Sequence, residues 1–87
     1  MYYVYFLQSL VNNDLYVGST ENIENRVKLH NAGKVRSTKA YKPWVLLGFR
    51  EYSSRSDAVK QERFFKSHQQ KELLKKKYNI NGAVAKR

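Results

Sequence analysis

The chain has 87 residues, no cysteine and a formal net charge of +10 at neutral pH. At that length it can build one hydrophobic core, so any site must share its walls with that core. The absence of cysteine excludes disulfides and thiolate metal centres and leaves nothing to argue for an oxidising compartment, while the charge points to a polyanionic partner, nucleic acid first.

The charge is uneven. Residues 1–54 carry 7 basic and 4 acidic side chains, and residues 55–87 carry 10 and 3. The C-terminal third is therefore the expected electrostatic footprint, although a lysine-rich surface also serves solubility. The apolar run Tyr2 to Leu7 is too short to span a membrane and has no basic leader, which leads us to expect a cytoplasmic protein without membrane contact.

In chain order, Tyr2 to Leu10 puts Tyr3, Tyr5 and Leu7 on one side and Tyr2, Val4 and Phe6 on the other, the pattern of a strand buried on both faces. Asn12-Asn13-Asp14 supplies turn chemistry and Leu15 to Ser19 a second strand, so the first two elements form a hairpin. Thr20-Glu21-Asn22 offers capping side chains before Ile23, Val27 and His30, which predicts a helix from about Asn22 that ends by Gly33. Lys34 to Pro43 reads as a polar, basic loop, and Trp44 to Tyr52 as a third strand with Gly48 as a bulge or a point of close approach.

Ser54-x-x-Asp57 resembles a capping box and opens a second helix to about Ser67. Gln69 to Tyr78 reads as a shorter third helix with Leu73 and Leu74 toward the core. Its Lys75-Lys76-Lys77 run suits the C-terminal end of the helix dipole with no ligand invoked. The domain is expected over 1–78, with a flexible basic tail from Asn79.

Few of these residues can carry chemistry. Arg26 and His30 stand i, i+4 on the first helix and share a face; such a pair can bind phosphate, or can be an exposed arginine beside a hydrogen-bonded histidine. Glu62 falls inside the apolar stripe Ala58, Val59, Glu62, Phe65. A carboxylate there needs a cation, either a metal or a basic side chain such as Lys66 one turn on. Tyr5 and Tyr16 are ordinary strand aromatics unless the hairpin brings their hydroxyls together, and Gly18 permits a close backbone approach.

Taken in order, Tyr3-Val4-Tyr5, Tyr16-Val17-Gly18, Gly18-Ser19-Thr20, Asn22-Ile23-x-x-Arg26, His30-Asn31-Ala32-Gly33 and Ala58-x-x-x-Glu62-x-x-x-Lys66 resemble the GIY-YIG endonuclease family, in particular its small stand-alone bacterial members of the YhbQ-like kind. The likeness spans about residues 2–78. It implies an α+β fold, a three-stranded antiparallel sheet flanked by helices in the order β-β-α-β-α-α. It also implies that Tyr5 and Tyr16 are the motif tyrosines, Arg26 the helix arginine, His30 the histidine that follows it, and Glu62 the single carboxylate for one Mg²⁺ or Mn²⁺. The sequence departs from the motif by Tyr3 at the first glycine and valine at both isoleucines, and Ser19 stands where some members carry a basic residue.

The resemblance makes metal-dependent hydrolysis of nucleic-acid phosphodiesters, DNA in the first instance and with little sequence preference, the expected activity. Tyr5 is the first choice of base and Tyr16 orients the water or phosphate. A tyrosine with its ordinary pKa of about 10 is ionised only to roughly one part in a thousand at pH 7, so its pKa must fall or it must work through another group. Backbone contacts are expected from Lys34, Arg36, Lys39, Lys42 and Lys66 and from Lys71, Lys75, Lys76 and Lys77, with no obligate protein partner. The competing readings are a non-catalytic nucleic-acid-binding module on the same scaffold, and a basic protein that docks an acidic partner.

Overall fold

A computed structural model of the chain describes residues 1–80. Its first strand, β1 (Tyr2–Ser9), lies at the centre of the sheet, because only the central strand can bury both of its faces. β2 (Leu15–Thr20) and β3 (Trp44–Tyr52) flank it, both antiparallel. The hairpin turn uses the expected residues: Asn12 Oδ1 accepts from the Asp14 amide at 3.0 Å, and Asn13 takes φ of 62°.

Helix α1 (Ile23–Asn31) follows β2, capped by Asn22, whose side chain accepts from the Asn25 amide. It ends in a Schellman motif: Gly33, at φ 76°, donates to the His30 carbonyl, and Lys34 donates to that of Leu29. The next segment contains a 3₁₀ turn, Lys39–Tyr41, and a buried threonine, Thr38, where a plain loop was expected. Asn31 clamps the entry to β3, accepting from the Trp44 amide at 2.6 Å and donating to the Trp44 carbonyl at 3.0 Å.

Gly48 fulfils both of its expected roles. The β1–β3 register jumps between Phe6 and Leu7, leaving Leu47 as the extra residue beside Gly48. A Cβ on Gly48 would lie 2.5 Å from the Tyr78 hydroxyl, so that ring packs directly on the backbone.

Helices α2 (Arg55–Phe65) and α3 (His68–Lys77) cover the face of the sheet opposite α1. Val4, Phe6, Leu15 and Val17 meet Ala58, Phe65, Leu74 and Ile80 there, with the Phe6 and Phe65 rings edge-to-face at 5.2 Å. Four details differ from the sequence reading. β1 stops at Ser9, because the Ser9 hydroxyl accepts from the Val11 and Asn12 amides and turns the chain. α2 ends at Phe65 because Ser67 caps α3, accepting from the Gln70 amide. Leu73 faces out, 51% exposed, since Leu74 and Tyr78 define the buried stripe of α3.

The fourth concerns the tail. Asn79 (φ 57°) and Ile80 close a second Schellman motif, their amides donating to the Lys76 and Lys75 carbonyls, and Ile80 is buried in the core. The packed structure therefore runs two residues past 78; the rest of the expected tail, 81–87, lies outside the described residues. Among the described residues no helix is long and apolar enough to cross a membrane.

Candidate active site

The β1–β2 register sets Tyr5 opposite Gly18 and Leu7 opposite Tyr16, which puts both tyrosines on the α1 face as diagonal neighbours. Their ring centroids are 6.2 Å apart. Tyr5 lies across the Gly18 backbone so closely that a Cβ there would sit 2.6 Å from its hydroxyl oxygen. Any larger residue would therefore push Tyr5 out of place.

His30, on the inward side of α1, is completely buried and reaches the same point. Its Nε2 lies 3.0 Å from the Tyr5 hydroxyl and its Nδ1 2.7 Å from Thr38 Oγ1. Burial, with the nearby charge of Arg26, lowers its pKa to about 4, so the ring is neutral at physiological pH. His30 is thus a hydrogen-bonded, neutral histidine, while Arg26 is half-buried where the alternative reading had it exposed.

Tyr5 itself is fully buried. Burial raises its pKa to about 12, opposed by a hydrogen bond from the Arg26 guanidinium and by that group's charge, and reinforced by Tyr16 and Glu62. The shift runs opposite to what a free-standing base requires. Tyr16 is only half-buried; its ring packs against His30 at 4.9 Å and Trp44 at 6.1 Å, with Lys66 Nζ 5.8 Å from the ring centre.

Glu62 reaches the edge of β2 from α2. Ser19 Oγ donates to its Oε1 at 2.6 Å and Lys66 pairs with its Oε2 at 2.9 Å. Burial alone would raise the carboxyl pKa, but the Ser19 and Lys66 bonds and the charges of Lys66 and Arg63 outweigh it and hold it below 4.5. Glu62 is thus ionised at neutral pH.

No cluster of three or more His, Cys, Asp or Glu side chains fit to hold a metal occurs among the described residues. Glu62 suits a hard cation that keeps most of its water: it is anionic, offers oxygen, and one of its two partners is a lysine whose side chain is 46% exposed and free to swing away.

Apart from Lys66, which pairs with Glu62, the expected nucleic-acid contacts separate into two groups. Lys34, Arg36, Lys39 and Lys42 are all exposed on the segment that folds back over the end of α1, with the Lys42 stem against Gly33. Lys71, Lys75, Lys76 and Lys77 belong to α3 on the other layer, where Lys71 and Lys75 are half-buried and Lys75 pairs with Glu72 at 3.7 Å. The sequence reading missed Thr38 and the Ser19–Glu62 bond, since no periodicity marks either. Tyr3, at the motif's first glycine position, has room: it lines an open groove and packs edge-on against Phe49 at 5.7 Å.

Compared with known proteins, residues 1–79 match the family model described as the GIY-YIG catalytic domain. The chain is 39% identical to the UPF0213 protein SH2523 of Staphylococcus haemolyticus, over 85% of this chain and 90% of that one. It is 32% identical to the UPF0213 protein YazA of Bacillus subtilis, over 92% and 85%. The solution structure of the UPF0213 protein BH0048 from Bacillus halodurans superimposes with a TM-score of 0.52 at 31% identity, covering 85% of this chain and 82% of that one.

Proposed function

The chain belongs to the GIY-YIG nuclease family, and from that premise we propose that it is a metal-dependent endonuclease that hydrolyses DNA phosphodiester bonds with little sequence preference. The observation that carries this reading is the continuity of the site. Tyr5, Tyr16, His30 and Arg26 adjoin one another on the α1 face, and Lys66 links Tyr16 to the ionised Glu62 at the β2 edge.

Phosphodiester hydrolysis needs an in-line water, a group to take its proton, and positive charge where the phosphate gains negative charge. Glu62 is the protein ligand we assign to a single Mg²⁺ or Mn²⁺, which when bound supplies charge at the phosphate and the leaving oxygen. Arg26 clamps a non-bridging oxygen, and Tyr16, the more exposed of the two tyrosines, orients the water.

Tyr5, fully buried in the free protein, takes the proton from water once bound substrate opens its hydroxyl to the site, and it cannot do so as a free phenolate. With a pKa of about 12 it is ionised at pH 7 to only about one part in 10⁵. It works instead as a relay, passing its own proton to His30 Nε2, 3.0 Å away, in the same step as it accepts one. His30 is neutral and so able to accept, and because its pKa is lowered to about 4 the transfer relies on the negative charge of bound phosphate to favour the imidazolium.

The exposed loop cations Lys34, Arg36, Lys39 and Lys42 carry the backbone contacts, so log affinity falls linearly with log salt. The test is incubation of the protein and its Glu62→Ala variant with labelled duplex, single-stranded and branched DNA at low salt, with Mg²⁺, Mn²⁺ or chelator. Cleavage by the unmodified protein alone, abolished by chelator, is expected. Equal salt-sensitive binding by both with no cleavage would identify a binding module that has kept the fold.

A further inference from the structure

We infer that Thr38 is a positioning residue: its hydroxyl fixes the tautomer of His30, and so decides whether Tyr5 can hand on a proton. The inference rests on the relay proposed above, but its main readout does not depend on cleavage.

Thr38 is 1% exposed, and it sits in the segment that carries the exposed loop cations. Its Oγ1 lies 2.7 Å from His30 Nδ1 and 3.4 Å from the Val35 carbonyl oxygen. His30 Nε2 in turn lies 3.0 Å from the Tyr5 hydroxyl. Three groups in a row thus share two proton-bearing hydroxyls and one ring N–H, and the two tautomers run the protons in opposite directions.

Suppose first that His30 carries its proton on Nε2. Thr38 would then donate to Nδ1, and Nε2–H would donate to the Tyr5 oxygen. The Tyr5 proton, on a fully buried residue, would have no acceptor, because among the described residues His30 is the only side chain or backbone group in hydrogen-bond geometry that can accept from it; a guanidinium such as that of Arg26 can only donate. An orphaned buried hydroxyl disfavours that tautomer.

The other tautomer leaves nothing orphaned. Tyr5 O–H donates to bare Nε2, Nδ1–H donates to Thr38 Oγ1, and Thr38 O–H ends the chain on the Val35 carbonyl. That last bond is long, and the carbonyl already accepts from the Thr38 and Lys39 amides, but a long third bond costs less than a buried hydroxyl with none. The chain therefore runs from Tyr5 through His30 to Thr38, and the Tyr5 oxygen keeps a lone pair with which to accept a proton.

The segment is held for this purpose from its far side as well. The Thr38 carbonyl accepts from Trp44 Nε1 at 3.0 Å, so Thr38 is fixed at both its backbone and its side chain. Removing only the hydroxyl strips Nδ1–H of its acceptor while leaving the backbone anchor, so either tautomer now orphans one buried donor, Nδ1–H or the Tyr5 O–H, and the preference for a bare Nε2 is lost. In the molecules that carry the proton on Nε2, the position into which Tyr5 must pass its proton is blocked.

The experiment is long-range proton–nitrogen NMR on the ¹⁵N-labelled full chain at pH 7, with Thr38→Val and Thr38→Ser alongside. The unmodified protein and Thr38→Ser are expected to carry the His30 proton on Nδ1 with Nε2 bare, and Thr38→Val to populate both tautomers. In cleavage assays kcat of Thr38→Val is expected to fall at least in proportion to the fraction of His30 that carries its proton on Nε2, at unchanged KM, with Thr38→Ser restoring it. A proton on Nε2 in the unmodified protein overturns the inference even if Thr38→Val fails to fold, as does an unchanged tautomer in a folded Thr38→Val. Absence of cleavage by the unmodified protein would instead count against the nuclease reading and leave the tautomer result standing.

Discussion

The two faces of β1 are built from the same strand and do opposite work. Toward α2 and α3 it sends Val4 and Phe6 into an apolar core with Phe65, Leu74 and Ile80. Toward α1 it sends Tyr5 and Leu7 into a smaller cluster with Trp44, where His30 and Thr38 are buried and hydrogen-bonded to Tyr5 or to each other. A face held by non-directional packing tolerates changes of shape, whereas a face held by a directional chain of protons fails when one atom is lost. Stability is concentrated on the first face and the proton-transfer groups on the second, with Glu62 reaching the β2 edge from α2.

The comparison can be broken in several ways. Phe6→Ala is expected to destabilise the fold by about 3–5 kcal/mol through lost burial and a residual cavity; urea unfolding will read this, and a cost under about 1 kcal/mol would mean the apolar face does not carry stability. Next in size is an acid limb set by His30. Its folded pKa, about 4, lies below the ordinary 6.5, so the unfolded chain binds the extra proton first. Stability is full above pH 6.5 and falls as pH drops toward 4, by about 3 kcal/mol in all. His30→Gln should flatten the limb in that window. Glu62, also lowered, adds a loss that starts only below about pH 4.5, and Glu62→Gln separates the two.

Gly18→Ala tests the close approach of Tyr5. A cost of about 1–3 kcal/mol is expected, since the new methyl must displace the Tyr5 hydroxyl, together with a loss of cleavage larger than that cost explains. The smallest effect separates the two basic groups. Neutralising Lys39 and Lys42 together should reduce the slope of log affinity against log salt by about 0.9 per lost phosphate contact. The same change at Lys76 and Lys77, on the opposite layer, should leave the slope unaltered.

Much of this was legible in the sequence because it is written in periodicity. Alternation along Tyr2 to Phe6 marks a strand buried on both faces, Gly33 marks the end of α1, and the stripe through Glu62 places a carboxylate at a boundary with Lys66 one turn on. Periodicity says which way a side chain points, not what it meets. The Ser19–Glu62 bond joins residues 43 apart, and Thr38 reaches His30 from a segment with no pattern. The Asn79-Ile80 pair did carry a signal, asparagine followed by an apolar residue just past a helix end. It was outweighed by the polar composition around it.

Tyr5 and Phe6 are adjacent in sequence and point into opposite faces, so one experiment on two variants tests the whole account. Tyr5→Phe and Phe6→Leu should be compared for unfolding free energy and for cleavage per folded molecule. Tyr5→Phe is expected to lose only about 1–3 kcal/mol while cleavage falls by roughly 10²-fold or more, and Phe6→Leu to lose stability while cleaving normally once folded. Cleavage by Tyr5→Phe at the unmodified rate would contradict the division of labour between the faces, and with it the assignment of the site.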